Sequence, residues 1–181
     1  MGVDSYWHYV PYEEEANNAL QKLREREFEA GRYEFNYSEK TGKLLNSSSD
    51  EGLLAPGKGH ETMRDALIAA FGYLYEHLGY GKFKDGEYKD EYVGDGTKSI
   101  LDLKEVSEDV GKSVAYILKK EELIKCCKTE KPTRDIIDKN MDEIWDYVDT
   151  IANGVRGAGI CIKVYEDEKP SELFFMGFSW D

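Results

Sequence analysis

Three cysteines, three histidines and four prolines are all that this chain of 181 residues offers of the types that staple, ligate or break structure. The cysteines are Cys126, Cys127 and Cys161. An odd count with two neighbours is no disulfide framework, and adjacent cysteines bridge only with strain. No C-x-x-C spacing occurs, so reduced thiols in a cytoplasmic protein are expected. His8, His60 and His77 lie far apart, and His60-Glu61 lacks the second histidine of a zinc-protease helix. Neither a metal site nor a cofactor is expected. Basic residues are outnumbered, 24 against 37, and the net charge is −13. Such a field repels phosphate backbones and anionic lipid, which argues against nucleic acid and membrane surfaces as partners. No apolar run reaches transmembrane length. The opening MGVDSYWHYV has neither the basic flank nor the apolar stretch of a secretion signal, and Tyr6 stands where myristoylation wants Ser or Thr. No G-x-S-x-G elbow is present.

What the chain does have is aromatic mass: 13 tyrosines, 7 phenylalanines and 3 tryptophans. At this length a single domain, residues 1–181, can bury a core without a staple. SYWHYVPY reads as a strand, and the segment from Tyr12 to Gly31 as a helix with Ala16, Ala19, Leu20 and Leu23 on one stripe and Glu13–Glu15 in its first turn. RYEFNY alternates like a half-buried strand. HETMRDALIAAFGYLYEHLG reads as a helix capped by Thr62, with Asp65 three positions on. TKSILDL is short and extended, SVAYIL is ambiguous, and KKEELIKCC is a short helix. PTRDIIDKNMDEIWDYVDTIANG reads as one long helix capped by Thr133. The last strands flank EDEKPS as a hairpin. The expectation is therefore an α+β fold: a mainly antiparallel sheet, helices packed on one face, and a C-terminal β-hairpin. Residues 38–59 and 79–96 read as surface loops or insertions.

Residues 52–62, GLLAPGKGHET, carry most of the letters of a phosphate-binding loop. The context such a loop needs is missing. Acidic SSSDE precedes it instead of an apolar strand, Gly59 stands where Ser or Thr would hold magnesium, and Pro56 removes an N–H. A loose lead-in to the Thr62 cap is the better reading. Cys126 and Cys127 sit between Lys125 and Lys128, which favour a thiolate, but at a helix C-terminus, which opposes one. In GTKSILD, Thr97, Ser99 and Asp102 either form a polar cluster at the mouth of a pocket or cap a local turn.

Val10–Tyr12, Ala19–Tyr33, Gly96–Asp102 and Gly177–Ser179 together resemble a set of uncharacterised bacterial proteins. Those share V-P-Y leading an A-L-x-x-L-R-x-x-x-F helix, a G-T-x-S-I-L-D segment, and a terminal hairpin ending in aromatics and G-x-S. The resemblance covers most of the chain outside the Ser-rich loop and YGKFKDGEYKDEY. It implies a bacterial cytoplasmic domain and no catalytic residues. Charge and exposed tyrosines then favour a protein-binding role of the immunity or inhibitor kind. A basic protein partner would meet Glu13, Glu14, Glu15, Glu34, Tyr88, Asp90 and Tyr92. The alternative is an enzyme whose site gathers Thr97, Ser99, Asp102, His60, Arg64 and Tyr9. A regulatory subunit without chemistry is a third reading, and oligomeric state stays open.

Overall fold

Aromatic and β-branched residues at alternate positions form strand β1, Ser5–Pro11. In the computed structural model, which describes residues 5–33, 60–71, 96–152 and 157–178, four more strands join it. They are β2 (Glu105–Ser107), β3 (Val114–Ile117), β4 (Gly159–Glu166) and β5 (Lys169–Phe178), in the order β1-β5-β4-β3-β2. β5 pairs antiparallel with both β1 and β4, whereas β3 pairs parallel with β4 and with β2. The sheet is thus mixed: antiparallel across β1, β5 and β4 as expected, and parallel from β4 through β3 to β2. The parallel β3–β4 pair needs a long return, and three helices supply it: α3 (Lys120–Cys127), α4 (Arg134–Lys139) and α5 (Met141–Ala152). β4 and β5 form the hairpin, turning at Asp167 and Glu168, both at positive φ (48° and 64°) as a tight two-residue turn requires.

Helices cover both faces, not one. ELFFMGF is apolar at consecutive positions, the signature of a strand buried on both sides. Leu173 and Phe175 pack with α1 (Ala16–Glu29), α2 (Met63–Phe71) and the 3-10 turn Ile100–Asp102. Phe174, Met176 and Phe178 pack with α3, α4 and α5. Phe174 and Phe175 are both wholly buried, on opposite faces. Each such burial is worth about 1.5–3 kcal/mol.

Local departures follow from single residues. α1 starts at Ala16, so Glu13–Glu15 precede the first turn, and Glu15 makes no side-chain cap. α2 begins as expected: Thr62 Oγ1 accepts from the Asp65 N–H at 3.2 Å and donates to Asp65 Oδ2 at 2.6 Å. The expected long helix after Thr133 breaks at Asn140, whose side-chain amide donates to the Ile136 carbonyl at 2.7 Å and whose backbone (φ −111°, ψ 24°) leaves the helical region. An Asn side chain that bonds the backbone competes with helix propagation in this way. TKSILDL forms a 3-10 turn rather than a strand. Of RYEFNY, Arg32 and Tyr33 belong to no strand, and the rest lies outside the described residues.

Candidate functional site

Two constellations of polar side chains stand out, one on each face of the sheet. The first is the GTKSILD segment. Thr97, Ser99 and Asp102 are brought together, yet at 0%, 7% and 0% exposure they lie inside the protein and not at a pocket mouth. Asp102 Oδ1 accepts from the Thr97 N–H at 2.8 Å and from Thr97 Oγ1 at 2.7 Å; Ser99 Oγ lies 2.8 Å from Thr97 Oγ1 and accepts from the Leu101 N–H at 3.3 Å. These bonds hold the 3-10 turn, so the local-cap reading describes what the residues do.

The other side of Asp102 is less settled. Its Oδ2 is buried without a hydrogen-bond partner, and so is the Tyr6 hydroxyl. Tyr6 reaches this region because its ring lies on Gly177, its antiparallel partner in β5; a Cβ there would overlap the phenol. Gly159 plays the same part beside it, where a Cβ would sit 2.7 Å from Leu103 Cδ1. Arg24 of α1 closes the group, donating to Gln21 Oε1 at 2.7 Å and to the Leu101 carbonyl at 3.2 Å. Burial pushes the Asp102 carboxyl up to about 7, against the downward pull of the Thr97 and Lys98 hydrogen bonds and the Arg24 charge. Burial, then the Asp102 charge, pushes the Tyr6 phenol well above its ordinary range.

The second constellation surrounds Glu122 in α3. Its Oε2 accepts from the Tyr116 hydroxyl at 2.9 Å and the Lys119 N–H at 2.7 Å, and its Oε1 from the Tyr147 hydroxyl at 3.1 Å. The carboxylate thereby ties β3 and α5 to the start of α3. Beside it a shallow, open cleft of about 320 Å³ lies between α3 and α5, lined by Lys125, Cys126, Glu143, Asp146, Tyr147 and Thr150. Along α5 the exposed positions Asp142, Glu143, Asp146 and Asp149 follow a helical stripe, opposite buried Ile144 and Val148. None of these four has an ion-pair partner among the described residues. Carboxylates elsewhere do: Glu13 with Lys22 at 2.8 Å, Glu168 with Lys131 at 2.7 Å, Glu172 with Arg134 at 2.7 Å.

The residues expected to gather as a catalytic site do not gather. Tyr9 packs on the α4–α5 face, donating to Asp138 Oδ1 at 2.6 Å with the Arg134 guanidinium 4.1 Å from its ring centre. Thr97, Ser99 and Asp102 are on the opposite face with Leu101 and Leu103. His60 pairs through Nδ1 with the buried Tyr33 hydroxyl at 2.9 Å, and that hydroxyl also accepts from the His60 N–H. Arg64 is exposed on α2. Of the acidic face expected for a partner, Glu14 and Glu15 are exposed, Glu13 is half-buried and paired with Lys22, while Glu34, Tyr88, Asp90 and Tyr92 lie outside the described residues, as do residues 52–59 of the phosphate-loop look-alike. The α5 stripe lies outside every expectation above. Its signal was legible, with Asp142, Glu143, Asp146 and Asp149 at helical spacing between apolar positions.

Among the described residues no group of three or more His, Cys, Asp and Glu is placed to hold a metal, and no helix is long and apolar enough to cross a membrane. The chain matches no protein-family model, no curated protein and no solved structure at a significant level.

Proposed function

We propose that this is a binding protein of the immunity or inhibitor kind, which docks a basic protein through the outer face of α5 and the adjoining cleft. The observation that carries the reading is the α5 stripe, four exposed carboxylates with no ion-pair partner among the described residues, beside a concavity that Glu143 and Asp146 line. A Lys or Arg side chain entering the cleft would meet those carboxylates and the Tyr147 ring. Lys125, whose ammonium lies 5.9 Å from the Tyr147 ring centre, marks where a cation already rests. Net charge of −13 would speed encounter with a cationic partner. Glu14 and Glu15 belong to the same proposal as a secondary contact, and the resemblance to bacterial proteins supports a bacterial, cytoplasmic setting.

The test is capture from a bacterial lysate with the wild-type chain and with the triple variant Asp142→Lys, Glu143→Lys, Asp146→Lys. The reading requires a captured protein of basic isoelectric point, retention that weakens with salt, and loss of capture by the variant. Equal capture by both chains sinks it. The enzyme alternative around Thr97, Ser99 and Asp102 has no comparable support, since those side chains are enclosed.

A further inference from the structure

Cys126 and Cys127 end α3, and Lys128 then takes a left-handed backbone conformation (φ 62°) that stops the helix. The two sulfurs are 3.7 Å apart. That is far beyond the roughly 2.05 Å of a disulfide. Two thiolates on one four-coordinate centre at about 2.3 Å and a near-tetrahedral angle span roughly 3.8 Å, and the narrower angle at a pyramidal trivalent centre asks the two sulfurs to close by a few tenths of an ångström. Both thiols are buried, at 2% exposure each, within the core cluster of this face, and Cys126 alone reaches the wall of the α3–α5 cleft.

The two thiols are chemically unequal. Cys126 donates to the Glu122 carbonyl at 3.2 Å. A hydrogen bond from Cys127 draws the Cys126 thiol down, and burial works against it; that bond, with burial, pushes Cys127 up. Cys161 is buried in the other core cluster. Soft thiolates select soft centres. A four-coordinate zinc would want two more protein ligands, and among the described residues no third His, Cys, Asp or Glu is placed to join the pair. A trivalent arsenical that brings its own carbon substituent needs two sulfurs and nothing more.

We propose that Cys126 and Cys127 form a chelating dithiol site for a trivalent organoarsenical, reached through the α3–α5 cleft. The reaction is a condensation without redox change. Two S–H bonds and the As=O bond of R–As=O are lost, two As–S bonds form, and the two protons leave with the oxygen as water. The cyclic product resists a monothiol, because the second sulfur holds the arsenic while the first is displaced, and it yields to a dithiol.

The reduced, folded protein is treated with phenylarsine oxide, and adducts are read by intact mass. One phenylarsenic per chain is expected, removed by 2,3-dimercaptopropanol and resisting glutathione on the order of a hundredfold better than a single thiol–arsenic bond. Cys126→Ser and Cys127→Ser should each abolish that resistance, and Cys161→Ser should leave it intact. Should a serine variant fail to fold, alkylation mapping of the wild-type adduct decides. Joint protection of Cys126 and Cys127 supports the site, and protection of one alone or of Cys161 overturns it. An adduct that glutathione strips as fast from wild type as from the single variants, or one that forms only after denaturation, overturns it as well.

Discussion

Asp102 and Glu122 are carboxylates held by hydroxyl and backbone donors on opposite faces of one sheet, and they are held differently. Glu122 has both oxygens engaged by Tyr116, Tyr147 and the Lys119 N–H, in a half-buried position. Asp102 is fully buried, with its bonds concentrated on Oδ1 and Oδ2 left without a partner. A buried acceptor lacking a donor costs free energy that a satisfied, half-exposed one does not. On one face, then, a carboxylate joins elements at little expense. On the other, the fold accepts a carboxyl that favours being neutral.

That contrast is sharpest in its pH dependence. In the unfolded chain Asp102 ionises near its ordinary 3.8, and in the folded protein near 7. Between those values the folded state binds the extra proton, so the unfolding free energy falls as pH rises. The Asp102 contribution is fully present below about pH 4 and lost above about pH 7, a change of at most about 4 kcal/mol. Asp102→Asn keeps an acceptor for Thr97 and offers an N–H₂ where Oδ2 stands. Denaturant titrations of this variant from pH 4 to 8 should lose that slope. An unchanged slope would mean that Asp102 is ionised throughout.

A steric probe of the same face comes next in size. Gly177→Ala pushes a methyl into the phenol of Tyr6 and should destabilise by about 1–3 kcal/mol, read as a lowered denaturation midpoint at constant m-value. Tyr6→Phe in the same background should change little, because the clash is with the ring as well as the hydroxyl.

On the Glu122 face, Glu122→Gln should cost about 1 kcal/mol, since one charge-assisted acceptor becomes a neutral amide. Tyr147, now pushed up to about 12 by burial first and then by the Glu122 hydrogen bond and charge, should titrate closer to its ordinary value; ultraviolet titration measures this. The smallest effect belongs to the α5 stripe. Asp142→Lys or Asp149→Lys should move stability by no more than about 0.5 kcal/mol, so that any loss of partner capture reports on binding and not on folding.

Much of this arrangement was legible in the residues. The strand at Ser5–Pro11, the Thr62 and Thr133 caps and the terminal hairpin follow from alternation, capping chemistry and turn residues that act over a few positions. The parallel β3–β4 pair was not legible, because SVAYIL is too short to show its period and nothing local says which neighbour a strand will choose. The two-sided burial of ELFFMGF was available as an unbroken apolar run, although helices on one face were the expectation. The grouping of Thr97, Ser99 and Asp102 was visible in GTKSILD. Their enclosure was not, because it depends on Arg24 and Tyr6, far away in the chain. Tyr9 and Asp102 fall on opposite faces for a reason only the pairing register reveals.

The place of β5 has a kinetic consequence. It runs between β1 and β4, so Ser5 pairs with Phe178 and the first described strand meets its partner in the last. During synthesis β1 must wait, without its native neighbour, until the residues through Phe178 are made. Contacts so distant in sequence slow the search for the native state. The β4–β5 hairpin is local and the β1–β5 pairing is not, so the hairpin is expected to form first, leaving β1, with Trp7 half exposed even when folded, unpaired until then.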